Sequence, residues 1–438
     1  MSTIVALSTP VGRGALAVVR LSGTQALPIA KNLCPDFDNV KVRRATLAKV
    51  RLPGSRDILD EVLITFFKSP QSVTGEDVIE ISCHGSPVVV RQILDLAISF
   101  GARLAEPGEF TLRALSNGKI NLVEAEAIRD LIAAQTQAAV RQATRQMGEL
   151  SQSLTSLEER LIKVIVLLES AVEFVEDDLP ATELGDIKAE LCGVRQEIAA
   201  LSDSYAAGRL LQSGIKVAIV GSPNVGKSSL FNRLVCRDRA IVTELPGTTR
   251  DTLLETIDLD GIPVLLTDTA GLRETSDAIE TLGIERTQRA ISDADIVVEV
   301  LDATVPSVED SHFLNSIRVL NKCDLEIHRS YADESQSLRV SALTGEGLDE
   351  LRTAILGFLD RSEHQTEGVL ITNARHYDLL KCAGHELDLA IGSLNDGLSE
   401  ELILVPLHNA LRLLGQITGE TTTEDILTQV FSTFCIGK

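Results

Sequence analysis

The sequence predicts a multidomain chain of mixed α/β and all-α folds: an α+β N-terminal module, a helical bundle, and a doubly wound α/β domain inserted into that bundle. Three observations carry this expectation. With 438 residues the chain is about three times an ordinary domain, so more than one core is expected. Residues 1–118 mix short Val/Ile-rich runs with Gly/Pro turns and helical stretches. Helical spacing then begins near Leu122, breaks at Gly214 for a stretch of alternating apolar runs, and returns after Gly368.

Taken in order, Ala15–Leu21 and Val62–Phe67 read as strands and Val88–Ser99 as a helix. Within 119–213, Leu150, Leu154, Leu157, Leu161, Val164, Leu168 and Val172 recur at intervals of three and four, as do Ile187, Leu191, Val194, Ile198, Leu201 and Tyr205. Two long antiparallel helices satisfy both series. Between 214 and 360, apolar runs at 216–220, 262–267, 296–301, 317–320 and 338–342 alternate with helical segments, the pattern of a doubly wound sheet. A polar linker, Arg361–Gly368, precedes renewed periodicity at Tyr377, Leu380, Leu387, Leu404, Leu407, Leu411 and Leu414. Segment 361–438 is either a separate helical domain or the second part of the bundle begun at 119. The second reading needs only that the ends of the inserted domain lie close together, as they usually do.

Composition narrows the function. The hydrophobic share of 44% is enough for several cores, yet no run reaches the ~18 apolar residues of a membrane span. The first residues, Met1 to Leu7, have neither the basic start of a signal peptide nor an Arg/Ser-rich leader, so a cytoplasmic address is expected. Seven cysteines are scattered without a C-x-x-C pair, which argues for small buried hydrophobes rather than zinc or redox chemistry. A net charge of -22, with aromatics at 3% and no Trp, opposes non-specific nucleic-acid binding and base stacking. An RNA substrate would need a local positive patch or a partner. The run Lys41, Arg43, Arg44, Lys49, Arg51 and Arg56 is the best such patch, but it reads first as a solvated strand face.

Gly221-Ser222-Pro223-Asn224-Val225-Gly226-Lys227-Ser228 follows an expected strand and opens an expected helix, the setting that makes a P-loop match specific. Glycines let the backbone wrap phosphates, Lys227 reaches the β/γ-phosphates, and the Ser228 hydroxyl can ligate Mg²⁺, with Ser229 beside it in the first turn. Asp268-Thr269-Ala270-Gly271 after a strand suits an acid near the metal and a glycine N–H at the γ-phosphate. Asn321-Lys322-Cys323-Asp324 is the guanine reader: a carboxylate at Asp324 accepts from N1 and N2 donors that adenine cannot offer. Ser341-Ala342-Leu343 supplies the remaining base loop. Four motifs in this order specify a Ras-like P-loop domain for GTP rather than ATP.

Two residues constrain hydrolysis. Ras-like enzymes orient water with a Gln after the Asp-x-x-Gly glycine, but here Leu272 stands there and cannot. The charged residues that follow, Arg273, Glu274, Asp277, Glu280 and Glu285, are the candidates, although most switch charges are merely solvated. Asn224 places an amide oxygen beside the phosphates, where it can complete the shell of a monovalent cation; the same Asn also occurs in GTPases without such dependence.

The N-terminal module carries Pro10-Val11-Gly12-Arg13-Gly14, Val19-Arg20-Leu21-Ser22-Gly23, Thr74-Gly75-Glu76-Asp77-Val78-Ile79-Glu80, Cys83-His84-Gly85, Pro107-Gly108-Glu109-Phe110-Thr111 and Asn117-Gly118-Lys119-Ile120-Asn121-Leu122. By themselves these are turns and helix starts. Together with the motifs above and the terminal Phe434-Cys435-Ile436-Gly437-Lys438, they make nearly the whole chain resemble the MnmE (TrmE) family of tRNA-modifying GTPases.

That resemblance implies further roles. Asp268 to Thr275 and Ile279 to Thr287 resemble the family's second switch, in which the Glu at the position of Glu280 orients the attacking water. Thr243-Glu244-Leu245-Pro246-Gly247-Thr248-Thr249 resembles its potassium loop: Thr243, Leu245 and Thr248 would offer oxygens to K⁺, and Thr249 would complete Mg²⁺ coordination. Residues 1–118 would bind a 5-formyl-tetrahydrofolate-type cofactor through Arg20, Glu80 and Lys119, with Lys438 reaching the same pocket, and would mediate homodimerisation. Cys435 is either a functional thiol or a buried inert one. The partners implied are tRNA and the flavoenzyme MnmG, the chemistry being modification at C5 of the wobble uridine.

The segment Asp302–Arg318 is short for the family, and Asn121 and Leu343 depart from its usual residues. A ribosome-assembly switch of the Era or Der type is the rival reading. It would require a downstream G-x-x-G RNA-binding domain or a second set of GTP motifs, and the sequence contains neither.

Overall fold

The computed structural model describes residues 2–37, 40–54, 57–173, 181–238, 254–268, 288, 290–306, 315–331, 334, 337–358 and 368–420, and positions 427, 430, 431, 434 and 437. Its contacts form two compact units. The first is Met1–Arg129 with Ser151–Thr155 and Leu414–Lys438; the second is Asp130–Leu150 with Ser156–Leu413.

The first unit is built on six strands: β1 (Ile4–Leu7), β2 (Leu16–Ser22), β3 (Thr46–Arg51), β4 (Ile58–Phe67), β5 (Val78–His84) and β6 (Arg103–Leu104). They lie in the order β3-β4-β5-β2-β1-β6, antiparallel except for the β1–β6 pair. Alternation decides the buried face: Ile79, Ile81 and Cys83 join Val19, Leu21 and Ile64 in the core, closed by Ile29 and Leu33 of α1 (Ala26–Leu33) and Ile93 of α2 (Pro87–Ser99). Glu80, Ser82 and His84 therefore fall on the opposite face. The chain's end is part of this unit: Phe431 and Phe434 pack on Leu122 and Ala125, their rings 5.0 Å apart, and the Ser8 hydroxyl donates to the Gly437 carbonyl at 3.0 Å. Gly108 must be glycine here, because it holds φ 68° and a Cβ would come within 2.9 Å of the Phe431 carbonyl.

The two expected long helices occur at Ser151–Glu173, within the second unit from Ser156 onward, and at Ala181–Asp203. Leu157, Leu161, Val164 and Leu168 are buried on one, Ile187, Leu191, Val194 and Ile198 on the other. Helix Ala374–Asn395 adds to the second of them through a two-pronged pair between Arg195 and Asp388, at 2.9 and 3.0 Å, and stacks Tyr377 on Tyr205 of the short helix that follows, Tyr205–Ser213.

The second sheet runs β12-β11-β10-β7-β9-β8. Its members are β7 (Ile215–Val220), β8 (Leu254–Leu259), β9 (Ile262–Asp268), β10 (Ile296–Asp302), β11 (Ser316–Asn321) and β12 (Leu338–Arg339). All pairs are parallel except β8–β9. The antiparallel β8 was not expected from the sequence, and β12 is shorter than the 338–342 run suggested. The Asp260-Gly261 pair after alternating Ile257 and Leu259 was the available hairpin signal. Central β7 is apolar on both faces, as a strand covered on both sides must be.

Helix Tyr205–Ser213 contributes Ala207 and Leu211 to the core of this sheet, together with Leu370 from the returning chain. That returning segment is gripped by polar side chains. Gln142 bonds the Gly368 carbonyl and the Leu370 N–H, Gln146 bonds the Leu370 carbonyl, and Ser204 accepts from the Ile371 N–H at 3.0 Å. Both glutamines are buried, so their amides need these partners.

Cysteine usage departs from expectation. Of the six described cysteines only Cys34 and Cys83 are buried, and burial pushes their thiols up to about 12 and about 11. Cys192, Cys236 and Cys382 are exposed. Cys192 follows fully buried Leu191, and one residue turns a helix by about 100°, away from the packed face. Among the described residues no helix is long and apolar enough to cross a membrane.

The grip on the returning segment is testable at Gly208, where a Cβ would lie 2.2 Å from the Ile371 carbonyl oxygen. Gly208→Ala should destabilise the second unit by about 1–3 kcal/mol, since backbone must shift to admit the methyl. Thermal unfolding of the variant should show a lowered Tm; an unchanged Tm would contradict the close approach.

Candidate functional site

The phosphate-binding motif leaves β7 at Gly221 and enters helix Lys227–Asp238. Three residues in this turn hold positive φ: Gly221 at 149°, Asn224 at 65° and Gly226 at 96°. A Cβ on Gly221 would meet the Val300 carbonyl at 2.2 Å, and one on Gly226 would meet Asn321 Nδ2 at the same distance, so both positions exclude a side chain. Asn is among the few non-glycine residues that tolerate the left-handed conformation at 224. Val225 is buried, whereas Asn224, Ser228 and Ser229 are exposed. The two serines occupy the first helical turn, where unsatisfied N–H groups favour an anion. Lys227, only 7% exposed, donates to the Ser222 carbonyl at 2.7 Å and so curls over its own loop.

The expected guanine reader lies against that loop. Asn321, at the end of β11, donates through Nδ2 to the Val225 carbonyl at 2.8 Å and accepts through Oδ1 from the Ala342 N–H at 3.0 Å. One buried amide thus ties the phosphate loop to the base loop. Lys322, at φ 67°, donates to the Asn224 carbonyl at 3.0 Å and to the Asp302 carboxylate. Cys323 keeps its backbone N–H on the Val340 carbonyl, and burial raises its thiol pKa. The Ser341 hydroxyl donates to Asp324 Oδ1 at 2.5 Å and accepts from the Thr344 N–H at 3.1 Å, which orients the carboxylate. Leu343 is 78% exposed. Asp268 is fully buried at the end of β9, paired in register with Ile219 of β7 just before the phosphate loop.

These side chains fit a nucleotide and a divalent ion. The loop is shaped to exclude side chains from a cradle, a lysine lies over it, a serine hydroxyl opens the helix, and an oriented carboxylate sits at the base loop. Thr243, Glu244, Leu245, Pro246, Gly247, Thr248 and Thr249 lie outside the described residues, as do Thr269, Ala270, Gly271, Leu272 and Glu280. Of the proposed K⁺ ligands, Asn224 alone is among the described residues, and of the proposed Mg²⁺ ligands, Ser228 is described and Thr249 is not.

In the first unit, Arg20 and Glu80 stand directly opposite each other on β2 and β5 and form an ion pair, Arg20 Nε and Nη2 donating to Glu80 Oε1 at 3.0 and 2.7 Å. The Arg20 guanidinium also lies 5.8 Å from the centre of the Phe110 ring. Lys119 is exposed, its stem running beside Gly75. Lys438 and Cys435 are outside the described residues.

A network that the sequence did not reveal holds the 74–77 loop. Arg113 donates to Glu109 at 2.9 Å and to Glu76 at 2.8 Å; Ser22 donates to Glu76 at 2.7 Å, and Asn117 to the Thr74 carbonyl at 2.7 Å. Burial pushes the Glu109 carboxyl up, but hydrogen bonds from Arg103 and Arg113 outweigh it and hold the group below its ordinary range. Asp302 was likewise missed: nothing in its spacing marks it, since its role depends on the strand beside it.

The basic run is largely spoken for. Lys49 lies 3.8 Å from Glu61, Arg51 donates to Asp36 at 3.1 Å, and Arg43 donates to the Gln71 carbonyl. Lys49 and Arg51 alternate with buried Ala48 and Val50 along β3, as a solvated strand face requires. Arg56 lies outside the described residues.

A family model described as the MnmE helical domain matches residues 122–435, and one described as the GTP-binding protein TrmE N-terminus matches residues 3–119. The tRNA modification GTPase MnmE of Koribacter versatilis is 43% identical over 452 residues, covering 100% of this chain and 99% of that one. The MnmE of Thermotoga maritima is 41% identical over 454 residues, covering 100% of both. Among solved structures, Era of Aquifex aeolicus aligns with 40% of this chain and 67% of its own at 26% identity; its TM-score of 0.26 is too low to carry weight. Matched from end to end by such relatives and by both family models, the chain belongs to the MnmE family of tRNA modification GTPases.

Proposed function

We propose that the chain hydrolyses GTP to drive modification of the wobble uridine of certain tRNAs, working with the flavoenzyme MnmG to build aminomethyl or carboxymethylaminomethyl groups at C5. In this reading GTP and Mg²⁺ bind through Asn224 to Ser229, Asp268 to Gly271, Asn321 to Asp324 and Ser341 to Leu343. The observation that carries the nucleotide half is the amide of Asn321, which ties the phosphate loop to the base loop in one buried side chain. Family membership over the full length supports the tRNA half.

Within this reading the domains run 1–118, 119–213 with 361–438, and 214–360, the last being the G domain. The protein acts in the cytoplasm as a homodimer whose N-terminal modules meet. A K⁺ ion held by Asn224, Thr243, Leu245 and Thr248 supplies the charge that an arginine finger supplies elsewhere. Glu280 orients the attacking water, a role that Leu272 cannot fill. A 5-formyl-tetrahydrofolate-type cofactor supplies a one-carbon unit when bound. Arg20, Glu80, Lys119 and Lys438 offer it a guanidinium, a carboxylate and two ammonium groups, donors and acceptors suited to a pterin edge and a glutamate tail. The Arg20–Glu80 pair holds the two groups together on the face of the sheet opposite its main core, each still partly exposed.

Glu280→Ala should lower kcat for GTP by roughly a hundredfold or more, with GTP affinity nearly unchanged; stopped-flow binding that shows lost affinity instead would remove the role assigned to Glu280. Exchanging K⁺ for Na⁺ should slow turnover several-fold, and equal rates in both salts would remove the cation site. Mass spectrometry of tRNA nucleosides from a strain lacking this gene should show wobble uridines without the C5 group. Unchanged nucleosides would overturn the tRNA reading while leaving GTP hydrolysis intact.

A further inference from the structure

Asp302 belongs to none of the nucleotide motifs, yet it reaches the centre of them. It ends β10 directly beside Asn321 of β11, and the Ala303 N–H that follows donates to the Asn321 carbonyl at 2.9 Å. Its two carboxylate oxygens have separate duties. Oδ1 accepts from the Thr304 N–H at 2.9 Å and from the Thr304 hydroxyl at 2.7 Å, which fixes the rotamer. Oδ2 accepts from Lys322 Nζ. The same ammonium donates to the Asn224 carbonyl of the phosphate loop.

We infer that Asp302 is a positioning residue for nucleotide binding: it holds the Lys322 ammonium between the end of β10 and the phosphate loop, and so sets the place of Lys322 beside the base and of Asn224 beside the phosphates. The inference rests on the reading of Lys322 as a nucleotide contact. Lysine is a flexible four-carbon stem with a point charge at its end, and it loses much rotamer entropy when confined. Two anchors remove that freedom before a nucleotide binds, and the third N–H remains available to it. The Asp302 side chain is 11% exposed, so its bond to Lys322 is little screened by solvent. Burial alone would push the Asp302 carboxyl up, but the bonds from Lys322 and Thr304 reverse this and hold it below its ordinary value, keeping it charged at neutral pH. Asp302 also bears on Asn224. A residue at φ 65° has few ways to hold its backbone, and the Lys322 bond to its carbonyl is one of them.

A positioning role and a merely architectural one differ in how losses combine. In the full-length chain, Asp302→Ala and the isosteric Asp302→Asn should each weaken binding of a fluorescent GDP by roughly tenfold. In a Lys322→Ala background neither substitution should add a further loss, because the side-chain path from Asp302 through Lys322 has been removed while the backbone pairing with Asn321 is untouched. The preference for GDP over inosine diphosphate, which depends on the 2-amino group read by Asp324, should stay within about twofold throughout. Additive losses, a collapse of that preference, or unchanged affinity in both Asp302 variants would each overturn the inference. Asp302→Asn keeps the shape of the side chain while replacing the carboxylate with a neutral carboxamide, and carries the test if Asp302→Ala does not fold. If Lys322→Ala alone leaves affinity unchanged, the fault lies with Lys322 as a nucleotide contact; if it weakens affinity but Asp302→Asn does not, the fault lies with Asp302 alone.

Discussion

A loop that wraps phosphates with its own N–H groups cannot also use those groups to hold itself in shape. The loop between β7 and the following helix meets this constraint by borrowing support from outside. Asn321 donates to the Val225 carbonyl and Lys322 donates to the Asn224 carbonyl, so the carbonyls are engaged and the N–H groups stay available. The cost is backbone strain at Asn224 and Lys322, both at positive φ, and the loss of any side chain at Gly221 and Gly226. Phosphate loop and guanine reader, far apart in sequence, are therefore one mechanical object. A change in either reaches the other through these two bonds.

The same economy appears at the root of the sheet. Helix Tyr205–Ser213 gives Ala207 and Leu211 to the core of the nucleotide-binding sheet, and the returning chain at 368–372 is held by Gln142, Gln146 and Ser204. Gly214 closes that helix at φ 69°, where a Cβ would lie 2.1 Å from the Pro263 carbonyl in the β8–β9 hairpin. The strand that ends in Asp268 thus begins against the entry helix. Entry and exit of the sheet share buried contacts rather than two loose tethers.

Charge poses a separate problem. A chain of net charge -22 has to meet a polyanion, and the cations that looked most available are engaged: Lys49 faces Glu61, and Arg51 faces Asp36. Among the described residues of that run, Lys41 and Arg44 are exposed without such an acid beside them in the structure's ion pairs. An RNA substrate is accordingly better served by a positive field on a partner than by this face alone.

Periodicity and motif spacing alone determined the two long helices, the parallel sheet and the glycine-rich turn from Gly221 to Ser228 between strand and helix, and they supply the proposed guanine reader, because each is written in residues close together in the chain. The sequence also excluded a Ras-like glutamine by placing Leu272 in its position. Tertiary structure decided what depends on residues brought together from afar. It paired Arg20 with Glu80 across 60 residues, joined Arg113 to Glu76 and Glu109, and set Asp302 against Lys322. It also exposed three cysteines that composition suggested were buried, because a helix has an outer face that composition cannot see. Strand β8 lay between these cases: its turn residues were visible, but its antiparallel edge position was settled by pairing with β9. Chemistry carried by one contiguous motif is legible in a sequence; support for that motif comes from neighbouring strands, and strand order is a property of the folded chain.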